Sequence, residues 1–551
     1  MKKIFSMLLI SALMISALAV FSACRDDSED EPEKASKIDV SSYTLVRGDD
    51  VGDELVKYSL LLRDLINKHT GADVNLKGDF AEPSEKEILI GETERAESKT
   101  VYAILEKAPK NAYVIKAIGN KIVIAGKTED ATIRAMKRFL ENNVKSAEGT
   151  VLNMDTAYEE KGTVDLSSVL FDNFAEMIPE VTLDMAVPNN ISTGYSYETM
   201  IQLAHNGDKN GMLIASHASL YGYDDGYKMY RSYDNGDTWE MYATALDTIT
   251  ENLSDCYMQP CLFELPANMG NFKEGTLFLG GCTRSEKGEK SNIILYYSTD
   301  LGESWTSYVN LAIGGRADDR LGVWEPYIIY EEETGRVYCF YSDETYPKNG
   351  EKAQKLVYKY TTDMVNWSEL KTAVSCEKKD CRPGMVSIAK LGNGEYYMTF
   401  EMIGNEKRSP AYAKKTRNLD DWGDPADCGK LIITSDGKSI GSAPWCAWTP
   451  KGGDCGMILV VARWMSSGTP IYDEGYNGTG SDMLVSFDYG ETFVAIKNPI
   501  QYNQIDNEDK AKCGYSPFIG FSEDGGTLYY FNSVPFKNDN TKVRFKRMRV
   551  W

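Results

Sequence analysis

The feature that most constrains this chain is a repeated octapeptide. Ser232-Tyr233-Asp234-Asn235-Gly236-Asp237-Thr238-Trp239 has the form S-x-D-x-G-x-T-W, and Ser298–Trp305 and Ser486–Phe493 repeat it. Thr361–Trp367 and Thr416–Trp422 are decayed copies. Each copy separates two short runs rich in Tyr, Ile, Val and Met, so it reads as a hairpin turn. The Asp accepts amides of its own turn, the Gly supplies positive φ, and the aromatic packs between neighbouring sheets. These carboxylates are therefore structural. A hairpin turn recurring with a period of roughly 60 residues implies four-stranded units arrayed around an axis, somewhat longer than compact propeller blades.

Residues 167–551 divide into six such blades. Blade one runs through Thr199–Ala204, Met212–His217, Lys228–Arg231 and Trp239–Thr244, and blade two through Cys261–Leu265, Thr276–Gly280, Asn292–Tyr297 and Trp305–Asn310. Blades three to six open at Trp324-Glu325-Pro326, Arg382-Pro383-Gly384-Met385, Ser442-Ala443-Pro444 and Ser516-Pro517. Phe171–Val187 is expected to supply the strand that closes the ring. The fold class is thus an all-β six-bladed propeller preceded by a small α/β domain. That domain spans 38–145, with a helix at Asp53–His69 ended by Gly71, strands at Tyr43–Arg47 and Glu87–Ile90, a hairpin turning at Gly119-Asn120, and a helix capped by Thr128. Residues 146–166 read as a polar linker.

The N-terminus reads as an address. Lys2 and Lys3 precede an apolar run from Met7 to Val20, then Phe21-Ser22-Ala23-Cys24. This resembles a bacterial lipobox, which implies that 1–23 is a lipoprotein signal peptide and that Cys24 is acylated and anchored in the outer membrane. Residues 24–37 form an acidic tether, similar to the surface-export signal of Bacteroidetes lipoproteins.

Composition excludes several classes. Lys+Arg total 60 against 82 Asp+Glu, for a net charge of −22, and no run of five Lys/Arg offsets it. Nucleic acid is not an expected partner. With three histidines, a His-rich zinc site and a Ser-His-Asp hydrolase are disfavoured. No metal and no cofactor is implied: CxxC and GxGxxG are missing, and Asp318-Asp319 and Glu331-Glu332-Glu333 read as solvated loops. Cys376/Cys381 and Cys446/Cys455 are close enough in sequence to close small loops.

A propeller gathers the starts of its inner strands and the ends of its second strands on one face. The starts carry Glu198, Gln259, Glu325, Arg382, Ser442 and Ser516; the second-strand ends carry His217, Arg284, Asp343, Glu344, Glu401, Arg463 and Asn532. Two of these, Glu325 and Glu401, stand on adjacent blades, and two carboxylates across one pocket are what glycoside hydrolysis requires. Arg284, Arg382, Arg463, Asp343, Gln259, Glu198, Trp324 and Ser516 are the candidate substrate-binding residues. Arg382 begins the blade whose second strand ends in Glu401, which favours Glu401 as nucleophile and Glu325 as acid/base.

Trp324-Glu325-Pro326, Phe340-Tyr341-Ser342-Asp343-Glu344, Gln354-Lys355-Leu356-Val357, Arg382-Pro383-Gly384-Met385 and Met398-Thr399-Phe400-Glu401 follow in that order. They resemble glycoside hydrolase family 93, exo-α-1,5-L-arabinanases built as six-bladed propellers with Asp-box (BNR) repeats. The resemblance implies a retaining mechanism with Glu325 and Glu401 as the catalytic pair, and an oligosaccharide or polysaccharide substrate. Two alternatives stay open. An exo-sialidase would use Arg284, Arg382 and Arg463 to grip a carboxylate, although Tyr195–Met200 stands where its Arg-Ile-Pro opening belongs. A non-catalytic glycan-binding propeller would use Trp324, Trp445 and Trp464 as platforms.

Overall fold

The computed structural model describes residues 35–163, 183–184, 195–219, 226–250, 256–284, 290–316, 319–345, 354–376, 381–404, 409–466, 482–500, 514–535 and 541–550. The leader, Cys24 and most of the tether lie outside them.

Six four-stranded antiparallel sheets form the propeller. Their inner strands are Tyr195–Gln202, Cys256–Glu264, Val323–Glu331, Arg382–Lys390, Trp445–Thr449 and Phe518–Phe521. Blade six takes its outermost strand from the other end of the propeller: Leu183–Asp184 pairs with Phe545 and Arg544 of Thr541–Arg549. That strand falls inside Phe171–Val187, so the ring is closed by chain from both of its ends.

Hydrophobic burial joins the blades face to face. Leu203, Ile214 and Met229 of blade one pack with Leu262, Leu279 and Tyr296 of blade two. Tyr338 and Phe340 pack with Met398 and Phe400 across blades three and four. Met200, Leu213 and Tyr230 pack with Phe518, Phe531 and Phe545 where blade six meets blade one. Each fully buried side chain of this size contributes about 1.5–3 kcal/mol.

The octapeptides are hairpin turns between third and fourth strands, and their hydrogen bonds explain their sequence. Asp300 accepts from Ser298 Oγ at 2.7 Å, Ser304 N at 3.0 Å and Ser304 Oγ at 2.5 Å. Asp234 and Asp488 repeat this set. Gly490 has φ +84°, and a Cβ there would come within 2.4 Å of Tyr397 on the preceding blade. The aromatics also reach backwards: Trp239 meets Phe545 at 5.3 Å, and Trp422 meets Phe340 at 6.1 Å.

The N-terminal unit is a six-stranded mixed sheet. Asp53–Thr70 and Glu129–Phe139 pack on one face, and Ala96–Leu105 on the other. Gly71 is left-handed at φ 72°, and Thr128 accepts from Ala131 N at 3.2 Å. The linker reading needs correction: Val151–Asp155 pairs with Lys37–Asp39, and Glu159–Thr163 pairs with Ala112–Ile118, so these residues belong to the sheets of this unit. Asn75–Gly78 and Ala96–Leu105 are further elements the sequence reading did not contain.

Candidate active site

The inner strands share one irregularity. Their pairing shifts between Ser196 and Thr199, Met258 and Cys261, Trp324 and Tyr327, and Gly384 and Ser387. In each gap sits a non-glycine residue with positive φ: Tyr197 (57°), Gln259 (53°), Glu325 (63°) and Met385 (57°). Blades five and six place Ala443 (53°) and Ser516 (56°) just before their inner strands. Each such residue costs on the order of 1–3 kcal/mol, and such strain clusters at functional sites.

The bulges free backbone amides from the ladder and turn them toward the channel. Met385 N donates to Glu325 Oε2 at 2.8 Å, and Ala443 N donates to Glu401 Oε2 at 2.9 Å. Each carboxylate is thus capped by the blade that follows it. Ser342 Oγ also donates to Glu325 Oε2, at 2.7 Å, and Glu325 N donates to Gln259 Oε1 at 3.0 Å. Gly384 makes room for this: a Cβ there would stand 3.1 Å from Glu325 Oε2 and 2.5 Å from Gln354 Nε2.

The two glutamates feel one another. Burial pushes the Glu401 carboxyl up to about 7, with the neighbouring Glu325 charge adding to it. The Ala443 amide, Arg382 and Arg463 pull it partly back. Glu325 is also raised by burial, against Ser342, the Met385 amide and Arg382. Burial thus raises both carboxyls, and Glu401, up to about 7, titrates in the neutral range beside Glu325.

Arg382 faces this pair but is already engaged. Its Nε donates to Glu344 Oε1 at 2.8 Å and its Nη2 to Gln354 Oε1 at 3.0 Å. Glu344 Oε2 accepts in turn from Trp324 Nε1 at 2.8 Å. The Arg463 guanidinium lies 5.2 Å from the centre of the Tyr515 ring. Arg284 ends the second strand of blade two, in register with Cys256.

The other candidates divide by role. Gln259 orients the Glu325 amide and donates to the Tyr197 hydroxyl at 3.3 Å. Ser516 lines the floor of the channel with Tyr197, Glu325 and Met385. Asp343 takes the Thr345 amide and hydroxyl on Oδ1, at 2.7 and 2.6 Å, and so caps its own turn. Glu198 is buried with both oxygens unpartnered, and desolvation pushes its carboxyl well above the ordinary carboxylate range. It lines the floor of the channel with Gln259 and Ser516. Neither Cys376/Cys381 nor Cys446/Cys455 is joined by a disulfide in the structure.

The sequence reading did not contain Tyr515, Tyr197, Met385 or Gln354 as site residues. Tyr515 is half-buried; desolvation, with the charges of Glu401 and Glu325 adding to it, raises its hydroxyl, and its ring meets Tyr197 edge-on at 5.3 Å. Its signal was its place one residue before the blade-six start at Ser516. Met385 and Ala443 contribute backbone amides, for which side-chain identity carries no signal.

No protein-family model and no curated protein sequence matches the chain. Solved structures do. An α-L-arabinanase of Penicillium chrysogenum, in complex with arabinobiose, is 26% identical and aligns over 68% of this chain and 98% of its own, with a TM-score of 0.55. The propeller resembles those of glycoside hydrolase family 93. A family 93 α-L-arabinofuranosidase of Fusarium graminearum, also with arabinobiose, aligns over 67% of this chain and 97% of its own, at 23% identity and a TM-score of 0.55. Both of these enzymes were solved with arabinobiose bound. Among the described residues of this chain, no three His, Cys, Asp or Glu side chains group as metal ligands, and no helix is long and apolar enough to cross a membrane.

Proposed function

We propose that this chain is a retaining, exo-acting glycoside hydrolase of the α-L-arabinanase type, with Glu401 as acid/base and Glu325 as nucleophile. The observation that carries the reading is the pair itself: two carboxylates on adjacent blades, each capped by the next blade's amide, each raised by burial and close enough for the Glu325 charge to raise Glu401. The role assignment reverses the one drawn from sequence. Glu325 Oε2 accepts two hydrogen bonds that favour an ionised oxygen, whereas Glu401 accepts one and is pushed up to about 7.

The steps follow from those charges. Glu401 gives its proton to the glycosidic oxygen as the bond to the anomeric carbon breaks. The Glu325 carboxylate attacks that carbon from the opposite face and forms a glycosyl ester. Glu401, now ionised, takes a proton from water, which displaces Glu325 and restores both groups. Two displacements return the original anomeric configuration. The network Trp324–Glu344–Arg382–Gln354 fixes the wall beside Glu325 and holds Arg382 as a positive charge near both carboxylates.

One observation favours a second reading, an exo-sialidase. Tyr515 is a half-buried phenol beside both carboxylates, and sialidases use a tyrosine nucleophile. Against it, Arg382 is already bound to Glu344 and Gln354 and does not stand ready to grip a substrate carboxylate. A product screen separates the readings. Linear α-1,5-arabinan should yield arabinobiose; release of a nonulosonic acid from sialosides would favour the second reading; binding without any product would leave a glycan-binding propeller.

The address supports work at the cell envelope, with Cys24 acylated and the outer membrane as its anchor. The wild-type protein should partition into detergent and Cys24→Ala should not. Equal partitioning would contradict the anchor.

A further inference from the structure

The cysteines carry a signal that the glycosidase reading does not use. Cys376 directly follows Lys371–Ser375, the outermost strand of blade three. Cys428 lies just before Lys430–Leu431, the outermost strand of blade four. The two thiols are in side-chain contact, and Cys428 packs against the same apolar cluster that buries Cys376. The backbones are joined there as well, since Ser375 N donates to Pro425 O at 2.7 Å. Cys376 is buried at 9% exposure, while Cys428 is half-buried and open to a reagent.

We propose that Cys376 and Cys428 form a disulfide that ties the outer edge of blade three to that of blade four. An exported chain meets disulfide donors, and this is where structural disulfides form. These are also the blades that carry Glu325 and Glu401. The Met385 amide of blade four caps Glu325 of blade three, so a bond that fixes the two edges also fixes the register of the site.

The chemistry is thiol–disulfide exchange with an oxidised dithiol or glutathione disulfide as oxidant. The Cys428 thiolate attacks one donor sulfur and releases the first donor thiol. Cys376 then attacks the Cys428 sulfur and releases the second. Two protein thiols are oxidised, one donor disulfide is reduced, and the two protons end on the donor thiols. Burial, with Cys376 beside it, pushes the Cys428 thiol up to about 11. The thiolate is scarce at pH 7, so the first attack should quicken about tenfold per pH unit up to about pH 10.

Peptide mapping of the full-length chain, exported to a bacterial periplasm and alkylated without reduction, tests this. The expected result is a cross-linked pair containing Cys376 and Cys428, two hydrogens lighter than the sum of its peptides. That pair should vanish in Cys428→Ser, with Cys376 becoming alkylatable. The oxidised wild type should melt on the order of 10 °C above its reduced form. The reduced protein, incubated with glutathione disulfide at pH 9, should gain the same link without any variant being made. Full alkylation of both residues in the exported chain, or a link from Cys376 to Cys381 instead, would overturn the proposal.

Discussion

Glu325 stands in a left-handed backbone conformation, φ 63°, because that conformation points its amide at Gln259 and its carboxylate at the next blade's bulge. The space for that carboxylate depends on Gly384. Gly384→Ala should lower turnover by about 10²-fold, since a displacement of roughly 1 Å at a reacting group costs that much. Its melting temperature should fall far less, and equal losses of activity and stability would contradict a positional cause. Glu401 gives a pH signature. Its folded pKa of about 7 lies above the ordinary carboxylate value, so the folded state binds the extra proton between about pH 4.5 and 7. Stability from this group is present below that window and is lost as pH rises through it, by roughly 3 kcal/mol. Glu401→Gln should therefore melt above wild type at pH 8 and level with it at pH 4.5, as scanning calorimetry would show. In wild type, kcat/KM should decline above pH 7 as Glu401 loses its proton.

At the scale of elements, the octapeptide turns were legible because each position has one job. Ser, Asp, Gly and Thr exchange hydrogen bonds within the turn, and the aromatic fills the gap to the preceding blade. Asp300→Ala removes three accepted hydrogen bonds and should cost about 2–3 kcal/mol. Turnover at 25 °C should stay near wild type, because the turn holds no site residue. Elements with weaker local signals escaped. Glu159–Thr163 reads E-E-K-G-T, with no apolar face, and is a strand only because Ala112–Ile118 offers it an edge. Ala96–Leu105 has no side-chain cap and buries Ser98 on its inner face, which breaks the apolar stripe a helix announces itself by. The bulges escaped for a different reason. A positive φ at Tyr197, Gln259, Glu325 or Met385 is imposed by the ring around the channel, not by the residue's own preference. Hence Glu325, Glu401, Gln259 and Arg382 were visible as charged or polar residues at the channel, while the amides of Met385 and Ala443 were not.

At the scale of the whole molecule, ring closure is the act that assembles the site. Blade six is completed by Leu183–Asp184, so a chain starting at residue 167 should fold with one cooperative melt, and one starting at residue 190 should lose that cooperativity. If both melt alike, the closing strand is dispensable. The α/β unit meets the propeller through two ion pairs, Asp130 with Lys451 at 2.8 Å and Lys110 with Asp454 at 3.8 Å, exposed enough to be worth little by themselves. The arrangement of six blades brings Glu325 and Glu401 into each other's field, and the central claim is that this pair performs retaining hydrolysis. Azide rescue with product configuration read by proton NMR tests it most directly, on an activated arabinoside and with linear arabinan as the natural substrate. Both Glu325→Ala and Glu401→Ala should lose at least about 10³-fold on arabinan. Azide should then give a glycosyl azide of retained configuration with Glu401→Ala and of inverted configuration with Glu325→Ala. Near-wild-type turnover of arabinan by both variants would contradict the account.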